Sequence, residues 1–412
     1  MVRHIKKPEL LAPAGTYENA EAAIRYGADA IYQGITGFSL RSGKKAEVSL
    51  DIAKKTIQLA HKHNKKYYSA LNIFAYNENI QNLMDFLPMI KDIGIDGFIV
   101  ADPGILLLLQ DLAPNIPIHL STQSNTLNYK TVAFWKKQGI KRIILARELN
   151  KADIKEIKNH HPDIELEVFI HGAMCMSYSG RCNLSLYMAN RDANQGDCSH
   201  PCRWEYDLVK PGTKEPFTIE ENSQGVYIMN SKDMNLAKHI ASLIDMNITS
   251  LKIEGRNKTS YYIANTTRVY RKIIDEAMLQ VRPYTVDKKY LTELDNISHR
   301  IYTDETFTGH KDVFNFDSSN YIKPTKLVGI VQKHEKGYLW IEVRDEIRLQ
   351  ETIEIILPNT INIPIKITKI INAINGKKLD SAHNSYTICI PFDNSDTQIS
   401  LVGLLIRKNV IL

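Results

Sequence analysis

Cysteine is scarce in this chain, and long hydrophobic runs are missing. Only 5 of the 412 residues are cysteine. The longest apolar run, ILLLLQDLA after Gly104, has about half the length that crosses a bilayer. The first residues, MVRHIKKPELLAPAG, contain neither the apolar core nor the small-residue cleavage site of a signal peptide. We therefore expect a soluble, cytoplasmic protein that does not bind a membrane.

A strong excess of one charge is also missing. The chain has 52 basic and 46 acidic side chains, which gives a net charge of +6. This balance permits contact with a polyanion such as a nucleic acid, but an ordinary solvated surface has the same balance. A hydrophobic content of 43% with 24% charged residues indicates a globular protein, and the length indicates about two to three domains.

Most of the few cysteines are clustered. Four of the five lie within 28 residues, at the spacing C-x6-C-x15-C-x3-C: Cys175, Cys182, Cys198 and Cys202. In a reducing cytoplasm this indicates metal binding or catalysis, and two structural disulfides are the alternative. Four thiolates suit tetrahedral zinc or an iron–sulfur cluster, and the spacing leaves both open. Neighbouring glycines and arginines suit a cluster but are equally typical of a solvated loop.

Eight short apolar runs alternate with segments of helical period over residues 1–280. This alternation predicts an α/β fold, a TIM-like (β/α)8 barrel. A cysteine-rich insertion at about 172–249 separates the seventh run from the eighth. Because such insertions lie on the C-terminal face of the barrel, we expect the cysteines to cover its mouth. The predicted strands are 9–15, 30–34, 66–72, 97–102, 117–123, 142–148, 165–171 and 250–256.

The pattern changes after residue 280. Residues 281–320 are polar and rich in Asp and Asn, and we predict that they form a connector. From residue 321 to 412 the chain alternates apolar and polar residues in short runs without a helical period. This predicts a small, all-β, barrel-like C-terminal domain.

The longest recognisable motif surrounds the first two cysteines. The run EVFIHGAMCMSYSGRCNLS, from Glu167 to Ser185, resembles the signature of peptidase family U32, the collagenase-like proteases. ELLAPAG near the start, FSLR at 38–41, STQ at 121–123, DCSHPCR and SLKIEGR resemble the same family, as does the C-terminal β-domain. Within the family, the chain is most similar to members of the tRNA hydroxylation P type.

This resemblance implies an enzyme that modifies tRNA. It implies prephenate-dependent, oxygen-independent 5-hydroxylation of the wobble uridine, with tRNA and a small anionic co-substrate as partners. It also implies a four-iron, four-sulfur (4Fe-4S) cluster on the four clustered cysteines, with zinc as the alternative. Some relatives modify ribosomal RNA, so another substrate is a further alternative. Others work as a pair, so the need for a partner protein is another.

Strand alternation predicts which side chains point into the barrel. Burying a charged group there costs free energy unless the group is paired with an opposite charge or takes part in the reaction. We therefore interpret four of the inward-facing residues as catalytic: Glu167, His171, Lys252 and Glu254. The structural alternative is a Lys252–Glu254 or Lys252–Glu167 pair that only fills the core. The resemblance implies a dianion site, for which guanidinium groups are suited. The candidates for substrate binding are Arg41, His119, Gln123, Arg147 and Arg256, although His119 alone is more simply a satisfied core residue.

The peptidase activity that the family name suggests has little support in the residues. HExxH and GxSxG motifs are absent from the sequence. Cys175 beside His171 would imitate a Cys–His pair, but a metal shared with the other cysteines explains them better. A third interpretation is an RNA-binding module that a cluster or zinc only stabilises.

Aromatic and basic residues alternate around the cysteines. They are Tyr178, Tyr187, Trp204 and Tyr206, with Arg181, Arg191, Arg203 and Lys210. Such residues would form a rim that accepts a splayed-out RNA base, but aromatic residues are equally suited to cover a cluster from solvent. The C-terminal domain would likewise either grip RNA or serve as a structural cover.

Overall fold

The computed structural model describes residues 6–39, 47–204, 208–209, 216–217, 230–280, 283–310, 320–359, 361–393 and 399–410. Arg41, Tyr206 and Lys210 lie outside the described residues. The chain divides into two compact units, Met1–Val286 with His299–Tyr321, and Asp287–Ser298 with Ile322–Leu412. The segment predicted as a connector is thus shared between the two units. Within the described ranges, no helix has the length and apolar character needed to cross a membrane.

The first unit is a closed barrel of eight parallel strands, as the sequence predicts. The eighth strand pairs with the first, where Ser250 lies opposite Glu9, and with the seventh, where Ser250 lies opposite Glu167. Because both faces of a parallel strand are covered, the strands are short apolar runs. The barrel strands are Glu9–Pro13, Ala30–Ile35, Lys66–Leu71, Gly97–Val100, Ile118–Leu120, Arg142–Ile144, Glu165–Ala173 and Ser250–Ile253.

Helices connect the barrel strands, and most of them begin at a residue that caps the first turn. Thr16 and Ser49 accept hydrogen bonds from backbone N–H groups of the helices that follow them. Asp102 does the same and is followed by Pro103 at the first helical position. The helices are Tyr17–Arg25, Leu50–Lys62, Asn77–Ile90, Pro103–Leu112, Tyr129–Lys137, Lys151–His160, Ile240–Asp245 and Ser260–Leu279.

The seventh barrel strand carries an irregularity just before the cysteines. Its register against the eighth strand shifts, so that Phe169 pairs with Lys252 whereas His171 pairs with Ile253. Paired residues of a sheet share a face, and Ile253 faces the helices. The extra residue therefore turns His171 out of the barrel interior, which the alternation rule does not anticipate.

A short strand lies in the later part of the insertion. Asp233–Asn235 pairs antiparallel with the end of the seventh barrel strand and parallel with Tyr302–Thr303. Arg300, which is fully buried, holds this strand: its Nε and Nη2 atoms donate to Asp233 at 2.9 and 2.7 Å. The remaining short elements of the unit are Glu47–Val48, Thr122–Ser124, Tyr178–Gly180, Leu184–Ala189, Ala193–Gln195, Pro201–Arg203, Leu208–Val209, Pro216–Phe217, Ala237–His239 and Glu305–Thr308.

The second unit consists of β-strands and one helix, Lys288–Asp295, which precedes them in the chain. Glu293 of this helix pairs with Arg407, which also pairs with Glu354. The eight-stranded antiparallel sheet has the order Asn362–Lys366, Thr352–Ile356, Leu405–Asn409, Thr325–Glu335, Tyr338–Val343, Thr387–Pro391, Ile370–Asn372 and Lys378–Leu379. Ile347–Arg348 and Ser381–Ala382 form a separate pair.

Replacing Arg300 with methionine tests the buried pair with Asp233. The substitution leaves a buried carboxylate without its cation, so we expect a loss of about 3–5 kcal/mol in the free energy of unfolding. Urea unfolding followed by circular dichroism measures this. Lys136→Met is the control because its partner, Asp163, and Lys136 itself are largely exposed. A loss for Arg300→Met as small as that of the control would contradict the assigned role.

Candidate functional site

A cavity lies at the C-terminal mouth of the barrel, under the cysteine-rich segment. Side chains from several barrel strands line its lower wall: Tyr32, Ile99, Ile144, Phe169 and Lys252. All four clustered cysteines line the same cavity. The segment that carries them therefore covers the mouth, which is the position predicted from its place after the seventh strand.

The barrel fixes the start of the cysteine segment. Ser179 donates from its backbone N–H and its hydroxyl to the carboxylate of Glu148, at 2.6 and 2.9 Å. Arg181 Nε donates to the carbonyl oxygen of Gln123 at 2.7 Å. Gly180 has φ +86, and a Cβ atom there would lie 2.8 Å from Gln123 Nε2. The positive φ favours glycine, and the short distance shows that the loop passes close to Gln123.

The thiols of the segment face a common space. All five cysteines of the chain are free, so the disulfide alternative is not the state of this structure. The Sγ atoms of Cys182 and Cys198 each accept a backbone N–H from two residues further on, at 3.4 Å. Burial raises the pKa of the Cys202 thiol to about 11, with Arg203 opposing the shift and the other three thiols adding to it. Among the described residues, no three Cys, His, Asp or Glu side chains converge on a single ion.

A buried ion pair lies below the cavity. Lys252 Nζ donates to Glu167 at 2.9 Å, and Arg142 Nη1 lies 3.4 Å from the same carboxylate. Burial by itself would raise the pKa of Glu167, but Lys252 and Arg142 hold it below its usual value. Lys252 also lines the cavity, where its Nζ lies 4.3 Å from the centre of the Tyr32 ring. The pair is thus both part of the core and part of the wall.

The upper wall contains two arginines and one carboxylate. Arg147 Nη2 lies 3.5 Å from Glu254 Oε2, and the guanidinium lies 4.0 Å above the centre of the Phe169 ring. Arg256, which is buried, donates to the hydroxyl of Ser39. Among the described residues, the cations that line the cavity are Arg147, Arg191, Arg203, Lys252 and Arg256, and the carboxylates that line it are Asp197 and Glu254.

The structure brings most of the predicted site residues to this cavity. Gln123, Arg147, Lys252, Glu254, Arg256 and the four cysteines line it, and Glu167 contacts it through Lys252. Two predicted members lie elsewhere. His119 is buried in edge contact with the ring of Tyr68, at 4.6 Å between centroids. His171 is buried outside the barrel, where Nδ1 lies 3.2 Å from the Tyr270 hydroxyl.

Two aromatic residues of the site were missed by the sequence analysis. Tyr32 and Phe169 line the cavity and contact Lys252 with their rings. The same alternation that selected Glu167 and Lys252 also places these rings inside the barrel. That alternation was the available signal, and it applies to aromatic side chains as well as to charged ones.

Most of the chain matches known sequence profiles. The sequence profile of peptidase family U32 matches residues 15–315. The chain belongs to peptidase family U32. The profile of the U32 C-terminal domain matches residues 323–404, which lie in the second unit.

Several relatives of this U32 member have names that refer to RNA, and one, from Methanocaldococcus jannaschii, is named an uncharacterized protease, with 36% identity over 71% of this chain and 71% of that protein. It is 40% identical to tRNA hydroxylation protein P1 of Bacillus subtilis, over 80% of this chain and 81% of that protein. It is 36% identical to tRNA hydroxylation protein P of Escherichia coli, over 93% of this chain and 94% of that protein. It is 33% identical to a 23S rRNA 5-hydroxycytidine synthase of Escherichia coli, over 82% of this chain and 50% of that protein.

The buried side chain of His171 predicts an acid-sensitive fold. Burial lowers the pKa of His171 to about 3, whereas an unfolded histidine titrates near 6.5. Below pH 6.5 the unfolded chain therefore binds a proton that the folded chain does not, and stability falls as the pH falls. We expect His171→Gln to reduce the loss of unfolding free energy between pH 7 and pH 5 by about 2 kcal/mol.

Urea titrations at several pH values measure this difference. His63→Gln is the matched control because His63 is exposed on the barrel surface. The interpretation is wrong if His171→Gln leaves the pH dependence of stability as steep as in the unmodified protein.

Proposed function

We propose that this chain hydroxylates C5 of the wobble uridine of tRNA, with prephenate as a co-substrate. One observation carries the proposal: four thiols and five cationic side chains line a single cavity at the mouth of a barrel. The names of the relatives, which refer to tRNA hydroxylation and to rRNA 5-hydroxycytidine, support the choice of an RNA base as substrate. A tRNA substrate also supports a cytoplasmic location.

The four cysteines are suited to hold a 4Fe-4S cluster. Each thiol lines the cavity, and two of them accept backbone N–H groups, which stabilise sulfur in its charged form. Arg203 lines the same space and would offset part of the charge of the thiolates, whereas Arg191 is paired with Asp197 at 2.6 Å. When bound, such a cluster supplies one-electron redox chemistry at the barrel mouth. Zinc on the same four residues is the alternative, and a metal determination distinguishes it from the cluster.

The cations of the barrel wall are suited to the co-substrate. Prephenate has two carboxylates, and guanidinium groups bind carboxylates through paired hydrogen bonds. Arg147 and Arg256 lie in the upper wall, and Lys252 lies below them. The ring faces of Tyr32 and Phe169 provide apolar contact for the hydrocarbon part of the ligand.

Two cavity residues are candidates for proton transfer. Glu254 and Lys252 line the cavity, so both are within reach of a bound ligand. Glu167 is completely buried and acts through Lys252, which makes it a positioning residue. His171 faces Tyr270 and Tyr302 instead of the cavity, so we assign it no part in the reaction.

The peptidase alternative loses its candidate nucleophile pair in this structure. Cys175 lines the cavity and its Sγ lies 3.3 Å from the Ser177 hydroxyl. His171 is buried among tyrosines outside the barrel. A cysteine nucleophile needs a base within hydrogen-bond distance, and His171 does not supply it.

Replacing Cys198 with serine tests the cluster and the reaction together. We expect the unmodified protein, purified anaerobically, to contain about four iron and four sulfide per chain and to form 5-hydroxyuridine in tRNA. Cys198→Ser should lose most of the iron and the product, because serine is a poor ligand for this cluster. Cys389→Ser is the control, since Cys389 is buried in the second unit. A colourless protein that holds one zinc would contradict the proposal.

Replacing Arg256 with glutamine tests the co-substrate site. Loss of a charged hydrogen bond to a carboxylate should raise the KM for prephenate about 10- to 100-fold, measured at saturating tRNA. Arg348→Gln is the control because Arg348 is an exposed residue of the second unit. An unchanged KM for Arg256→Gln would place the dianion elsewhere.

A further inference from the structure

A second groove lies on the outer side of the cysteine segment. Its walls come from the loop after the third barrel strand, which contributes Phe74 and Tyr76, and from the cysteine segment, which contributes Arg181 and Leu186. Cys182 lines both this groove and the cavity at the barrel mouth. The two spaces therefore meet at Cys182.

Flat and apolar surfaces face solvent in this groove. The exposed fraction is 67% for Tyr76 and 41% for Leu186, so neither side chain is used to fill the core. The guanidinium of Arg181 lies 4.7 Å from the centre of the Phe74 ring, while its Nε donates to a carbonyl oxygen of the barrel. The backbone bond holds the cation over the ring, which gives the groove a preformed stacking surface.

The edge of the groove is polar, with little net charge. Asn183, Asp192 and Gln195 line it, and the carboxylate of Asp192 accepts the backbone N–H of Asn194 at 2.8 Å. One arginine and one aspartate thus belong to the same groove. With no excess of positive charge, the groove is unfavourable for a phosphate group. Amide and carboxylate groups instead match the hydrogen-bond donors and acceptors on the edge of an uncharged aromatic ring such as a nucleobase.

We propose that this groove stacks an unpaired nucleobase of the RNA, next to the base that enters the cavity. The inference rests on the proposed function, which supplies the RNA. Bases of single-stranded loops bind proteins by stacking on aromatic side chains and on arginine, as Tyr76 and Arg181 are placed to do. Because Cys182 lies between groove and cavity, adjacent nucleotides of one loop reach both.

Binding of an anticodon stem–loop RNA by the full chain, purified anaerobically, tests this groove. The probe has 2-aminopurine next to the wobble uridine, and its fluorescence is quenched when the ring stacks. We expect Tyr76→Ala to raise the dissociation constant about 5- to 100-fold and to abolish the quenching, because one base loses its stacking partner. Tyr76→Phe keeps the ring and should bind like the unmodified protein.

Phe134→Ala is the matched control. Phe134 is an aromatic residue with 54% of its surface exposed, and it lies on the helix Tyr129–Lys137, away from the groove lining. Leu186→Ala, on the opposite wall, is a second variant and should weaken binding in the same assay. Thermal unfolding shows whether each variant is folded.

The outcomes separate this inference from the proposed function. Unchanged RNA binding and unchanged quenching in folded Tyr76→Ala and Leu186→Ala would overturn the stacking groove, even if the unmodified protein hydroxylates tRNA. Weakened binding in these variants would support the groove, even if the unmodified protein forms no 5-hydroxyuridine. A loss of equal size in Phe134→Ala would also overturn it, because the effect would then not depend on the groove.

Discussion

Hydrogen bonds from the eighth barrel strand to both the first and the seventh strands close the sheet. This closure places Lys252 beside Glu167 in the interior and brings Glu254 and Arg256 to the mouth. The cysteine segment directly follows the seventh strand, so the same pairing sets the thiols above the cationic wall. Without the pairing of the seventh and eighth strands, the cysteine segment and Lys252 would belong to different edges of an open sheet.

Burial of charge inside the barrel is costly, and the structure offsets the cost by pairing. Glu167 contacts both Lys252 and Arg142, and Arg142 also contacts Glu9. These charges are compensated before any ligand binds. Nearer the mouth, the described lining residues include four arginines, Arg147, Arg191, Arg203 and Arg256, and two carboxylates, Asp197 and Glu254. The barrel thus combines a neutralised interior with a mouth at which the described cations outnumber the carboxylates.

Sequence reasoning reached the barrel because its strands are short apolar runs separated by well-capped helices. It also placed Lys252 in the interior correctly, since regular strands alternate. It was wrong about His171 because a shift of register before that residue turns the side chain outward, and such a shift has no clear signature in one sequence. It missed Tyr32 and Phe169, although alternation places Phe169 on the same face as Glu167. The groove beside Tyr76 depends on how two distant loops meet, which composition does not reveal.

The central claim is that this U32 member modifies tRNA rather than cleaving peptides. Mass spectrometric analysis of nucleosides from bulk tRNA, in a strain with the gene and in a strain without it, tests this claim most directly. Nucleosides derived from 5-hydroxyuridine should be lost or strongly reduced in the strain without the gene and restored when the gene is returned. Equal amounts in both strains, in a host with no second hydroxylation pathway, would contradict the claim.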